Sequence, residues 1–178
     1  MIGKPIRTLK GIGEVDVQNI LVSACLLGIR VRYDGLILPV SDRLIDALKQ
    51  IANVIPFCPE VTGGLPVPRF PSEISGGDGS LVMDGKAVVY DIKGNDVTSY
   101  FITGAKKAFE TAMKNNIRAA ILKEKSPSCG SAFIYDGTFT KILKSGRGVT
   151  AALLEKHGIR VFNETEIEDA LAFIETIK

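Results

Sequence analysis

Short apolar runs alternate with amphipathic stretches along this chain, and that alternation is the first guide to its fold. Residues 19–25 (NILVSAC) are apolar and partly β-branched without polar alternation, the pattern of a strand buried on both faces. Ser41 and Asp42 can cap a helix whose apolar positions Leu44, Ile45, Leu48 and Ile51 recur at helical spacing, and residues 54–58 (VIPFC) predict a second strand. From 59 to 80 glycine and proline are too dense for regular elements, so a long ordered loop is expected there. The apolar runs on either side of Asp84-Gly85 (LVMDGKAVVY) predict a β-hairpin with a primed turn.

A helix opening at Asp96 or Thr98 follows, with Phe101, Ala105, Ala108, Phe109, Ala112 and Met113 on one face and Asn115-Asn116 at its end. Residues 117–122 (IRAAIL) predict a third strand, and the loop KEKSPSCGS comes after it. A turn signal at YDGTF leads to a helix over 149–157 closed by Gly158, then to a strand (IRVF) and a C-terminal helix from Thr165, with Glu166 and Glu168 in its first turn. This order predicts an α/β fold: one Rossmann-like domain over 19–178, a mostly parallel sheet with helices on both faces, right-handed crossovers and a small β-hairpin insertion. Residues 1–18 are a polar N-terminal extension.

Composition narrows the function. The chain has 178 residues, 46% of them hydrophobic, enough for one packed core. Its 22 basic and 20 acidic side chains leave a net charge of +2, so no nucleic-acid partner is expected and a small-molecule substrate is. No apolar run reaches membrane length and the N-terminus lacks a signal-peptide core, so a cytoplasmic protein without membrane association is expected. Nothing in the sequence speaks to oligomeric state.

Three cysteines in a reducing compartment are free thiols, metal ligands or catalytic thiolates. Cys25, Cys58 and Cys129 each fall at or just beyond the carboxyl end of an expected strand, where neighbouring loops of a parallel sheet form the ligand crevice. Their neighbours are polar: Glu60 lies two residues after Cys58, Arg30, Arg32 and Tyr33 follow Cys25, and Ser126, Ser128 and Ser131 surround Cys129. Three thiolates without a fourth suit zinc with an open position or a [4Fe-4S] cluster with one iron left free. The lone histidine, His157, sits at a helix end and is expected to close that helix rather than bind metal. A phosphatase loop fails because Val31 and Tyr135 stand where its arginine would, and Gly11-Ile12-Gly13 opens no phosphate loop.

The stretches ILVSACLLGIRVRYDG, PFCPEVTGGLPVPRFPSEISGGDG, AAILKEKSPSCGSAFIYDGTF and GVTAALLEKHGI closely resemble a bacterial family long filed as a domain of unknown function, some members of which are called thiouracil desulfurases. The likeness runs from about Ile20 to residue 163. It implies a Rossmann-like fold, a [4Fe-4S] cluster on Cys25, Cys58 and Cys129 with one open iron, and non-redox removal of sulfur from a thiolated nucleobase such as 2-thiouracil. Zinc remains the less favoured cofactor. Val31 replaces a further cysteine found in many members, which cannot then be an obligatory ligand.

In the mechanism this suggests, Glu60 activates water, and the hydroxyl of Ser126, or less readily Ser128, positions substrate or relays a proton. Glu60 has a structural alternative, an ion pair with Arg30 or Arg32. Arg69 and Glu73, in the loop expected to fold over the crevice, are candidates for substrate or wall contacts. The alternative function is a non-catalytic metal- or cluster-binding module built on the same three cysteines.

Overall fold

The computed structural model describes residues 18–38 and 42–177. Ser41, expected in a helix cap, and Gly11-Ile12-Gly13 lie outside them, as do all of residues 1–17.

Four parallel strands make the central sheet: β1 (Gln18–Ser23), β2 (Ala52–Phe57), β5 (Ala119–Leu122) and β8 (Arg160–Asn163), in the order β2-β1-β5-β8. Ile20 stands beside Val54 on one side and Ala119 on the other, and Ile121 beside Phe162. Because successive strand side chains point to opposite faces, Ile20, Leu21 and Val22 must all be covered. They are. Leu21, Ala120, Leu122 and Val161 pack with Ala108 and Ala112 of α4 (Thr98–Lys114) and Ala151 and Leu154 of α5 (Val149–Lys156). Ile20, Val22, Ile121 and Phe162 pack on the other face with Leu48 of α1 (Asp42–Ile51) and Ala170 and Ile174 of α6 (Ile167–Thr176). Each fully buried Leu or Ile is worth about 1.5–3 kcal/mol over its exposed state, so the two layers are what hold the sheet. The expected α/β architecture with helices on both faces is the one found.

The 59–80 segment and the Asp84-Gly85 turn correct the sequence reading. The supposed structureless loop holds α2 (Pro59–Thr62) and β3 (Ser72–Ser75) and enters α3 (Gly79–Met83). The expected first hairpin strand is that helix α3, because the Asp78 carboxylate accepts the amides of Ser80 and Leu81 and caps it, and Gly85 at φ +71° ends it. The second run is a strand, β4 (Val88–Asp91), but its antiparallel partner is β3. Another antiparallel pair, β6 (Phe133–Tyr135) with β7 (Leu143–Ser145), was not foreseen. Ile74, Val89, Phe101 and Ile134 join these additions to α4 in a third core cluster. Met113, expected on the buried face of α4, is 59% exposed.

Candidate active site

Cys25 and Cys58 lie just past the carboxyl ends of β1 and β2, Cys129 lies further along the loop that leaves β5 at Leu122, and the three line one cavity of about 440 Å³. β1 stops at Ser23, two residues earlier than expected, and Cys25 sits in a short 3-10 helix, Ala24–Leu27, closed by left-handed Gly28. Cys58 precedes α2, where Pro59 suits the first helical position. Cys129 lies in the turn after β5, and the first turn of α5 holds that turn: the amides of Val149 and Thr150 donate to the carbonyls of Pro127 and Ser128. Gly148 permits the approach, since a Cβ there would stand 2.4 Å from the Ser128 carbonyl carbon.

The thiols of Cys25, Cys58 and Cys129 are free. Ser23 Oγ donates to Cys129 Sγ at 3.6 Å, and the Cys58 thiol donates to the Val31 carbonyl at 3.8 Å. Burial pushes Cys25 up to about 11, with repulsion from Cys58 adding to it and Lys123 opposing it. Burial likewise raises Cys58, and it raises Cys129 furthest, with help from the other two thiols. Each thiolate therefore disfavours the next, and a group carrying positive charge is what would let all three ionise together. Among the described residues no three His, Cys, Asp or Glu side chains form a ready cage for a single ion. The fit to an inorganic group rests on the donor chemistry, three soft sulfur donors lining one cavity.

Glu60, Arg69 and Ser126 line the same cavity. Glu60 Oε2 accepts from Arg69 Nε at 2.8 Å and pairs with Nη2 at 2.7 Å, while Ser126 Oγ donates to Oε1 at 3.3 Å. The alternative pairing of Glu60 with Arg30 or Arg32 is not found among the described residues. Arg32 pairs with Asp34 at 2.6 Å, two residues away, and its hydrogen bond holds the Asp34 carboxyl down at about 2. Two glycines fix the position of Glu60 by letting α2 touch α4: a Cβ on Gly104 would lie 2.0 Å from the Pro59 carbonyl oxygen, and one on Gly63 2.1 Å from that of Tyr100.

The serines divide. Ser126 Oγ accepts the amides of Ser128 and Cys129, each at 3.1 Å, so it shapes the Cys129 turn as well as facing Glu60. Ser128 is fully buried, exchanges a hydrogen bond with Thr150 at 2.9 Å, and is not among the cavity residues. Glu73 reaches the cavity, but its Oε2 accepts the amides of Gly137 and Phe139 at 3.0 Å each and braces that loop. His157 closes α5 and stacks on Phe109 at 4.2 Å, away from the thiols.

Lys123 and Glu124 also reach the cavity, and sequence reasoning missed them. Lys123 pairs with Glu164, and the Glu124 carboxylate accepts the amides of Ser131, Ala132 and Phe133, pinning the loop beyond Cys129. The available signal was their place directly after an all-apolar strand, ahead of SPSCGS.

Residues 20–166 match the sequence model of the family described as 2-thiouracil desulfurase. The chain belongs to that family. A Bacillus subtilis (strain 168) relative named uncharacterized protein YbbK is 46% identical over 152 residues, 85% of this chain and 99% of its own. A solved structure described as the [4Fe-4S]-dependent thiouracil desulfidase TudS superposes with a TM-score of 0.79 at 43% identity, over 90% of this chain and 99% of its own. This desulfurase-family chain is thus an enzyme, and the resemblance drawn from its cysteine-bearing segments is borne out. Among its described residues no helix is long and apolar enough to cross a membrane.

Proposed function

We propose that the protein hydrolyses the carbon-sulfur double bond of a thiolated nucleobase such as 2-thiouracil without net redox change, using a [4Fe-4S] cluster held by Cys25, Cys58 and Cys129. The observation that carries this reading is that the three thiols line one cavity together with the Glu60–Ser126 pair. When bound, such a cluster offers an iron without a protein ligand, a soft Lewis acid suited to a thiocarbonyl sulfur.

The chain's own residues supply the rest. Glu60 Oε1 takes a proton from water as its oxygen bonds to the thiocarbonyl carbon. Ser126 Oγ, held by two amides, passes a proton between that carboxylate and the substrate. A carbon-oxygen double bond replaces the carbon-sulfur one, and hydrogen sulfide leaves with the hydrogens of the water, so no oxidant or reductant is consumed. Ser128, committed to Thr150, takes no part. A reducing cytoplasm suits free thiols and a cluster of this kind.

Anaerobic reconstitution with iron and sulfide, followed by 2-thiouracil in water labelled with heavy oxygen, tests the reading. Equal amounts of sulfide and uracil are expected, with the label in the new carbonyl and no requirement for an electron donor. Turnover that needs a reductant would contradict it. Zinc in place of iron in the active preparation would overturn the cluster. Other thiolated nucleobases assayed alongside define the substrate range.

A further inference from the structure

We infer that Arg69 is a positioning residue for the reaction, one that anchors a single oxygen of Glu60 and leaves the other free to act. The inference rests on the reading of Glu60 as the base.

The Arg69 side chain is only 6% exposed, and all three of its nitrogens have partners. Nε and Nη2 both approach Glu60 Oε2, at 2.8 and 2.7 Å, rather than taking one oxygen each. A fork across both oxygens would commit both to the cation. Gripping one fixes the carboxylate and leaves Oε1 to Ser126 Oγ at 3.3 Å. Nη1 donates to the carbonyls of Val31 and Pro66, at 3.1 and 3.2 Å. The Val31 carbonyl also accepts the Cys58 thiol, a contact that ends once Cys58 is a thiolate ligand, whereas the guanidinium still holds it. The Arg69 amide donates to the Tyr33 carbonyl at 2.8 Å. One side chain thus ties together the segment after Cys25, the helix after Cys58 and its own loop. A lysine gathers its three donors on one nitrogen and lacks the planar fork, so it cannot reproduce contacts that Arg69 makes from three separate nitrogens.

Steady-state kinetics on anaerobically reconstituted Arg69→Lys and Arg69→Ala, with iron measured per chain, test this. Expected are unchanged iron content and visible spectrum, KM near wild type, and kcat lower by about tenfold to 10²-fold, the effect of a misplaced reacting group. Added guanidinium should restore part of the loss in Arg69→Ala. Combined with Glu60→Gln, Arg69→Lys should add nothing further, because it acts through that carboxylate. An unchanged kcat in both variants, a raised KM alone, losses that multiply in the double variant, or loss of iron from both variants would each overturn the assignment. Glu60→Gln turning over at the wild-type rate would instead overturn the base on which it rests, a separate result.

Discussion

Ser126 Oγ lies 3.3 Å from Glu60 Oε1 across 66 residues of sequence, and the same hydroxyl accepts the amides of Ser128 and Cys129. One oxygen therefore links the expected base to the turn that presents a cysteine. Ser126→Ala removes both functions. Leaving two amides of that turn without their partner should lower stability by about 1–2 kcal/mol, or several degrees in Tm for a chain of this size. Activity per bound cluster should also fall, and Ser126→Thr should recover most of both losses. Thermal melts with and without cluster, beside kinetics, check this.

Glu60→Gln keeps the shape of the side chain and an oxygen that can face Arg69, but removes the charge and the base. The cluster and fold should be retained. Turnover should drop by about 10²-fold or more, the usual contribution of general acid-base catalysis. Iron content and kcat measured on the same preparation separate loss of chemistry from loss of cofactor.

Gly104→Ala should disturb the site from behind. Its new methyl would sit 2.0 Å from the Pro59 carbonyl oxygen, a backbone atom that cannot turn aside. Pushing α2 off α4 should cost about 1–3 kcal/mol and shift Cys58 and Glu60 together. Denaturant titration should show the loss of stability, and cluster retention should fall with it.

Stability of the cluster-free protein should decline at alkaline pH. In the folded state Cys25 is raised from its ordinary 9.0 to about 11, with Cys58 and Cys129 raised in the same direction. The folded protein then holds these protons more tightly than the unfolded chain. Their contribution is full below pH 9.0 and is lost as pH rises toward about 11. Urea midpoints of the apo-protein at about pH 8 and about pH 10 should show the decrease, and Cys25→Ser should flatten it.

The sheet was legible because its strands are buried on both faces and read as unbroken apolar runs, as at Ile20-Leu21-Val22. The cysteines were legible for a related reason: each follows such a run, and a parallel sheet sends those ends to one edge. The 81–83 run misled because three apolar residues fit a strand or a helical turn equally, and Asp78, three residues upstream, decides through its cap. β3 was hidden by the glycines and prolines around it. Glu60 was found from its closeness to Cys58, but its partner was not, since Arg32 is satisfied locally by Asp34 while Arg69 arrives through loop geometry that no spacing encodes. Ser126 and Ser128 look alike in sequence and separate only because α5 packs on the turn and covers one of them.

On the proposed reading, Cys25, Cys58 and Cys129 together hold the catalytic cluster. Iron and acid-labile sulfide, measured on the anaerobically reconstituted protein and on each Cys→Ser variant beside sulfide release from 2-thiouracil, test it most directly. About four irons and four sulfides per chain are expected in the active wild type, with cluster and turnover lost together in every variant because a hard hydroxyl is a poor ligand for iron in such a cluster. A variant that keeps a full cluster and normal sulfide release would contradict it.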